Sequence, residues 1–182
     1  MKQRLTRHIV LIGMMGAGKT AIGSELARRL RVPFVDSDAS IEAAAAMTIA
    51  EIFERDGEAF FRDREAEVIS RILEGPPGIV STGGGAWIQP RNRDAINEHG
   101  LSVFLNCDLE TLWHRVRLRS TRPLLKTEDP KGTLARLLQE RSPVYALADL
   151  DFAARPGSVE QATTRLIDRL KDFDPQLIQE VR

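Results

Sequence analysis

Apolar positions along the chain fall into two alternating rhythms. Short runs of β-branched and other apolar residues at His8–Ile12, 32–35, Ile79–Ser81, 101–105 and Leu150–Ala153 read as strands. Between them lie segments whose apolar residues recur every three or four positions. In Lys19–Leu30, Ile22, Leu26, Ala27 and Leu30 share one helical face. Further helices are predicted over 41–46, 58–73, 91–98, 109–119, 134–147 and 159–170. Another opens at Thr48, where Glu51 completes a capping box ahead of Ile52 and Phe53. Gly75-Pro76-Pro77-Gly78 stops the 58–73 helix. Strands alternating with helices predict an α/β fold, a parallel sheet covered on both faces. Such sheets bind ligands at the carboxyl ends of their strands, so the residues just after each strand are where chemistry is expected.

Composition narrows the picture. The 182 residues contain 26 Lys+Arg against 26 Asp+Glu, a formal charge of zero. That balance excludes a protein that coats nucleic acid by excess positive charge, and no polybasic membrane anchor or acidic tail is present. With 42% hydrophobic and 29% charged residues the chain is of ordinary globular composition. At this length roughly 70% of the unfolded surface is buried on folding, enough for one sizeable core. A single domain over 1–182 is expected, without repeats or a domain linker. Cys107 is the one cysteine, so no internal disulfide or cysteine metal cage can form, which fits the cytoplasm. His8, His99 and His114 lack metal-ligand spacing. No apolar run approaches the length of a membrane helix. Lys2, Arg4 and Arg7 before an apolar stretch mimic a signal peptide, but Gly13, Gly16 and Gly18 break that stretch too early. Among the basic residues 21 are Arg and 5 are Lys. Coding bias would give this, and so would a site that grips planar anions, which Arg does better than Lys.

The first strand runs into Gly13-Met14-Met15-Gly16-Ala17-Gly18-Lys19-Thr20, which matches G-x-x-x-x-G-K-[ST] with a strand before it and a helix after it. In such a loop the glycines let several backbone N–H groups, those of Met15 and Ala17 included, converge on a phosphate. The helix N-terminus adds its dipole. Lys19 can reach the β- and γ-phosphates, and Thr20 can place its hydroxyl on Mg²⁺. A nucleoside triphosphate, ATP, is the predicted ligand.

Two absences sort the P-loop classes. No N-K-x-D segment is present to read guanine, and Ser81-Thr82-Gly83-Gly84-Gly85 leaves the third predicted strand without a carboxylate. The carboxylates follow the second strand instead, as Asp36-Ser37-Asp38. One could hold Mg²⁺ through water while the other accepts a proton from an acceptor hydroxyl. Alternatively Asp38 caps the helix at Ala39, a common use of Asp that explains one carboxylate but not both.

Taken in order, Gly13 to Thr20, Asp36-Ser37-Asp38, Phe61-Arg62-Asp63-Arg64-Glu65, Gly83-Gly84-Gly85, Arg122-Pro123-Leu124-Leu125 and Arg141-Ser142-Pro143-Val144-Tyr145 resemble shikimate kinase over nearly the whole chain. The resemblance implies a P-loop NTPase of the nucleoside monophosphate kinase type, three-layered αβα with a five-stranded parallel sheet. It implies a substrate-binding helical region at about 37–73 and a mobile lid at about 116–131. The implied reaction is ATP-dependent phosphorylation of the shikimate 3-hydroxyl, in aromatic amino-acid biosynthesis, with Mg²⁺. Arg62 and Arg141 would hold the shikimate carboxylate as two bidentate forks. Gly83, Gly84 and Gly85 would let the backbone approach the ring, and Asp38 would orient the reacting hydroxyl. Lys19 and Arg122 would neutralise the transferring phosphoryl group. Arg115 would stack on adenine, and Arg155-Pro156 resembles the late adenine loop, loosely, because Ala153 and Ala154 precede it.

Plainer readings stand beside these. Arg62, four residues after Glu58 and three before Glu65, could belong to a surface salt-bridge lattice. Arg141 could be a cation near a helix end stopped by Pro143. The glycines could form an ordinary turn. Arg115, Arg117, Arg119 and Arg122 could neutralise a helix C-terminus. The stripe lacks the aromatic interleaving that RNA binding needs. A gluconate kinase-like enzyme is the nearest alternative activity. A cytoplasmic monomer with a small-molecule substrate, without nucleic-acid or membrane partners, is expected.

Overall fold

The structure, a computed structural model, describes residues 2–119 and 125–181. Strand β1 (Lys2–Leu5) pairs antiparallel with β7 (Ile178–Val181) in a two-stranded ribbon of its own. The main sheet has five strands: β2 (His8–Ile12), β3 (Phe34–Asp36), β4 (Ile79–Ser81), β5 (Gly100–Asn106) and β6 (Leu150–Ala153). They lie in the order β3-β4-β2-β5-β6, and every pairing is parallel. The central strand β2 is buried at all five positions, which explains its unbroken apolar reading.

Among the described residues seven helices flank the sheet: α1 (Lys19–Leu30), α2 (Ser37–Ala45), α3 (Ile49–Leu73), α4 (Pro90–His99), α5 (Leu109–Val116), α6 (Pro130–Tyr145) and α7 (Val159–Phe173). The step from β2 to β3 crosses the sheet one way, and the step from β4 to β5 crosses it the other way. Right-handed crossovers therefore place α1 and α4 on opposite faces. Helix α1 packs beside α7, and α3 beside α4. The reversal falls at β2, whose carboxyl end becomes the crevice where ligands bind such sheets.

Several boundaries differ from the pattern reading, each for a local reason. The strand expected at 32–35 lies at Phe34–Asp36, and α2 starts at once. Asp36 both ends the strand and caps the helix, accepting from the Ala39 N–H at 3.1 Å. Helix α6 begins at Pro130, four residues before the apolar periodicity, because Asp129 accepts from the Gly132 N–H at 3.0 Å and proline suits a first helical turn. It also runs through Pro143 to Tyr145 instead of stopping there. The helix read over 109–119 ends at Val116, with Arg117 as its cap. In α3, Gly57 adopts φ 85° and ψ 172°, a kink between the two helices expected on either side. The Thr48–Glu51 capping box opens α3 as predicted. The β1–β7 ribbon had no counterpart in the pattern, since these short strands are rich in polar residues and β7 is mostly exposed.

Buried His8 is structural. Its Nδ1 accepts from the Gly78 N–H at 3.2 Å, which leaves Nε2 to donate to the Leu73 carbonyl at 3.2 Å. The ring thus ties β2 to the end of α3 and the start of β4.

Candidate active site

The loop from β2 to α1 carries the phosphate motif. Gly16 and Gly18 have φ of 82° and 92°, a left-handed backbone that other residues enter only at a cost. Lys19 is buried, and its ammonium donates to the carbonyls of Gly13 at 2.7 Å and Met14 at 2.9 Å. Thr20, on the first turn of α1, donates its hydroxyl to Asp36 Oδ2 at 2.9 Å. Asp36 therefore does two jobs, one oxygen capping α2 and the other meeting Thr20. The capping role considered for Asp38 belongs to Asp36.

A cleft of about 630 Å³ opens over Gly16, Ala17, Gly18, Lys19 and Thr20. Arg115 lines it and donates from Nη1 to the Gly16 carbonyl at 2.9 Å. Arg119 and the exposed Arg155 line it too. Two expected nucleotide-site residues stand apart. Gly13 is packed under the loop, where a Cβ would sit 2.9 Å from the Leu105 carbonyl oxygen. Met15 lines a second cavity instead. Arg122 and Pro123 lie outside the described residues, as do 120, 121 and 124 of the expected lid.

That second cavity, about 80 Å³, is walled by Asp38, Arg62, Gly83, Gly84, Gly85 and Arg141 from four separate segments. Arg62 is buried, so the surface-lattice reading fails even though both of its ion pairs form. Nη1 donates to Glu65 Oε1 at 2.9 Å and Nη2 to Glu58 Oε1 at 3.4 Å. Burial pushes the fully enclosed Glu65 carboxyl above its usual range, while the Arg62 guanidinium pulls it down. Arg62 Nε and Arg141 Nη1 are both buried without a hydrogen-bond partner among the described residues. Two guanidiniums, each with an N–H to spare, thus line one small space. A carboxylate, with two oxygens and lone pairs in plane, is the group that satisfies them.

The triple glycine is shaped by these neighbours. A Cβ on Gly85 would fall 2.8 Å from Arg62 Cζ, one on Gly83 2.7 Å from Asp38 Oδ1, and one on Gly84 3.4 Å from Arg141 Nη1. The guanidinium of Arg62 lies against bare backbone that only glycine provides. Tyr145, buried and stacked on Phe104 at 5.1 Å, donates to the Gly84 carbonyl and so fixes the turn from below. Burial raises its phenol above the usual value, opposed by Arg141, so the hydroxyl stays a donor. Trp87, wholly buried, donates to the Val144 carbonyl at 2.8 Å and holds the following segment to α6.

Asp38, Gly83 and Gly84 line both the cleft and the small cavity. The Asp38 carboxylate therefore stands where a phosphate donor and a carboxylate-bearing acceptor would meet.

Sequence reasoning missed part of the walls. Ile49, Phe53 and Phe61 line the small cavity, and Phe53 and Phe61 are in contact at 4.8 Å between ring centroids. In the sequence Phe53 reads only as part of the helix that the capping box opens and Phe61 only as the first residue of the 61–65 segment, and Ile49 is not singled out at all. Cys107 and Arg165 line the cleft. Cys107 Sγ lies 3.7 Å from the Ala17 carbonyl, and burial pushes its thiol up, so it stays protonated. Neither residue sits in a recognisable motif. Among the described residues no cluster of three or more His, Cys, Asp or Glu could hold a metal, and no helix is long and apolar enough to cross a membrane.

Comparison with known proteins agrees with this geometry. A family model described as shikimate kinase matches residues 15–171. The chain is 58% identical over 167 residues to a shikimate kinase of Ruegeria pomeroyi, covering 91% of this chain and 86% of the relative. It is 56% identical over 167 residues to one from Cereibacter sphaeroides, covering 92% and 84%. A shikimate kinase from Acinetobacter baumannii solved in complex with shikimate superposes with a TM-score of 0.89 at 34% identity, over 92% of this chain and 94% of that one. Taken with the P-loop cleft and the carboxylate-sized cavity beside it, these matches show that the chain belongs to the shikimate kinase family.

Proposed function

We propose that the chain transfers the γ-phosphoryl group of ATP to the 3-hydroxyl of shikimate, as a cytoplasmic monomer. The observation that carries this reading is the position of Asp38 at the junction of the two cavities.

ATP binds with its phosphates on the N–H groups of residues 16–20 and the N-terminus of α1. The Lys19 ammonium leaves the loop carbonyls for the β- and γ-phosphate oxygens. Shikimate enters the small cavity with its carboxylate between Arg62 and Arg141, the arrangement that supplies acceptors for their spare N–H groups. Its ring lies against residues 83–85 and the wall of Phe53 and Phe61. This pose directs the 3-hydroxyl to Asp38, which accepts its proton as the oxygen attacks phosphorus. Holding both reactants in line supplies most of the rate, since phosphoryl transfer needs little covalent help from the protein. Lys19 meets the charge that builds on the transferring group, joined by Arg122 as its motif implies.

Thr20 and Asp36 suit Mg²⁺, a cation that keeps most of its waters and takes one or two protein oxygens plus phosphate oxygens. When bound there it would neutralise the phosphate oxygens.

Calorimetric titration with shikimate, alone and with a non-hydrolysable ATP analogue, tests the reading, together with a coupled assay comparing shikimate and gluconate. Saturable shikimate binding and shikimate-dependent ADP release are expected. Absence of binding at millimolar shikimate, or turnover of gluconate alone, overturns it.

A further inference from the structure

One guanidinium in the cleft lies outside the motifs, the arginine stripe of 115–122 and the late loop at Arg155 alike. Arg165, on α7, lines the cleft beside Phe152, Ala154, Val159 and Ala162. Its Cζ stands over the Phe152 ring, 5.9 Å from the centroid. Its Nη2 is buried and has no hydrogen-bond acceptor among the described residues. A guanidinium carries five donors and no acceptor, and Arg165 lines the cleft while one of its enclosed nitrogens lacks an acceptor, a need that a ligand lone pair would meet. The aromatic face beneath fixes the plane of the group before any ligand arrives. Phe152, Ala154, Val159 and Ala162 give the wall here apolar surface, with Arg155 and Ser158 between them, unlike the glycines, Lys19 and Thr20 that mark the phosphate end. A flat heteroaromatic base suits that wall, and its ring nitrogens are the acceptors a base offers there.

We infer that Arg165 reads the base of the nucleotide, donating from Nη2 to a ring nitrogen of the purine. It is a specificity-determining residue, distinct from Arg115, whose guanidinium already donates to the Gly16 carbonyl, and from the exposed Arg155. The inference rests on the reading of this cleft as the nucleotide site.

The test compares Arg165→Met and Arg165→Lys with the parent enzyme, using ATP and its 1-deaza, 3-deaza and 7-deaza analogues. Methionine keeps much of the packing on Phe152 and removes the donors. Lysine keeps the charge but loses the planar fork. Both variants should raise the KM for ATP about tenfold, equivalent to about 1.4 kcal/mol, with the KM for shikimate unchanged. One deaza analogue should weaken binding to the parent by a similar factor and cause no further loss in Arg165→Met, the coupling that a direct contact produces. An unchanged ATP KM in Arg165→Met overturns the inference. So does a loss that simply adds to that of every deaza analogue. Parent-like behaviour of Arg165→Lys would reduce the residue to a point charge and also overturn it. If Arg165→Met does not fold, the lysine variant and the analogue series decide alone. Lys19→Met is the separate check on the cleft. If it leaves ATP affinity intact, the nucleotide reading itself fails; loss of affinity there with no effect at Arg165 sinks only the inference about the base.

Discussion

The two cavities are built on different principles. The phosphate loop is one continuous stretch whose function lies in backbone geometry, with glycines at φ 82° and 92° and a helix N-terminus behind them. The acceptor cavity takes its charged side chains from α2, α3 and α6 and its floor from the loop after β4. Apart from Lys19 and Thr20, the first tolerates change in side chains and fails when the backbone is constrained. The second depends on where a few charged atoms stand, and it fails when any of them moves.

The largest expected effect falls on the one carboxylate the two cavities share. Asp38→Asn keeps the shape and removes the proposed proton acceptor. Turnover should fall by about 10²–10⁴-fold with KM values for both substrates little changed. Steady-state kinetics under saturating ATP and shikimate check this. A fall in affinity for either substrate with turnover preserved would make Asp38 a binding group only and would dissolve the idea of a shared catalytic junction.

Next comes the acceptor side alone. Arg141→Ala removes a charge-assisted contact worth about 1.5–3 kcal/mol, so the KM for shikimate should rise about ten- to a hundredfold with ATP affinity intact. If ATP binding collapsed while shikimate binding survived, the division of labour between the cavities would be wrong.

A pair of glycine substitutions sets the two principles against each other. At Gly18 a Cβ meets nothing closer than 3.6 Å, so space is available, but φ of 92° is strained for alanine. Gly18→Ala should cost about 1–2 kcal/mol through the backbone and weaken ATP binding. At Gly85 the new methyl would fall 2.8 Å from Arg62 Cζ, the end of a flexible side chain that can give way. Gly85→Ala should therefore displace Arg62 from enclosed Glu65, lower the melting temperature through that buried pair, and raise the shikimate KM by about tenfold, the value of one weakened charged contact, with ATP binding intact. Melting curves and paired KM measurements separate the two. Equal effects of both variants on ATP would show that the cavities are not independent.

This contrast also explains what could be read from sequence. The P-loop was legible because its chemistry is local: glycine spacing, Lys19 and Thr20 carry it between a strand and a helix. The strands at His8–Ile12 and Ile79–Ser81 were legible because burial on both faces leaves continuous apolar or small-residue runs, and Leu150–Ala153 because buried Leu150 and Phe152 alternate with exposed Asp151 and Ala153. Asp36 and Asp38 were visible as a pair, but their roles as cap and as junction depend on where β3 stops, which periodicity places only loosely. Arg62 offered two readings, since the same Glu58 and Glu65 spacing serves an exposed lattice and a buried fork; only its burial separates them. Arg165 and the aromatic wall of Phe53 and Phe61 were hidden, because apolar helical spacing looks alike whether the face meets the core or a ligand. The β1–β7 ribbon escaped for the opposite reason, being polar and mostly exposed.

The smallest effect should come from the scaffold behind the phosphate loop. Glu25 on α1 accepts from Arg28 Nε at 2.8 Å and from Arg29 Nε at 2.7 Å. Arg29 in turn donates to Thr164 Oγ1 at 2.7 Å and to the Glu160 carbonyl at 2.9 Å, tying α1 to α7. These guanidiniums hold the Glu25 carboxyl at about 2, well below its value of 4.5 in an unfolded chain. A carboxyl depressed on folding stabilises the native state above its unfolded value, and that contribution fades as pH falls toward the folded one. Glu25→Gln should therefore lower the melting temperature slightly at pH 7, and the gap between variant and parent should narrow between pH 4.5 and about 2. Thermal melts across that range read it directly. Kinetic constants for ATP and shikimate should stay at parent values, because Glu25 lines neither cavity. A changed ATP KM at neutral pH would mean that the α1–α7 tie sets the shape of the nucleotide cleft, and the backbone-built half would then rest on a side-chain contact after all.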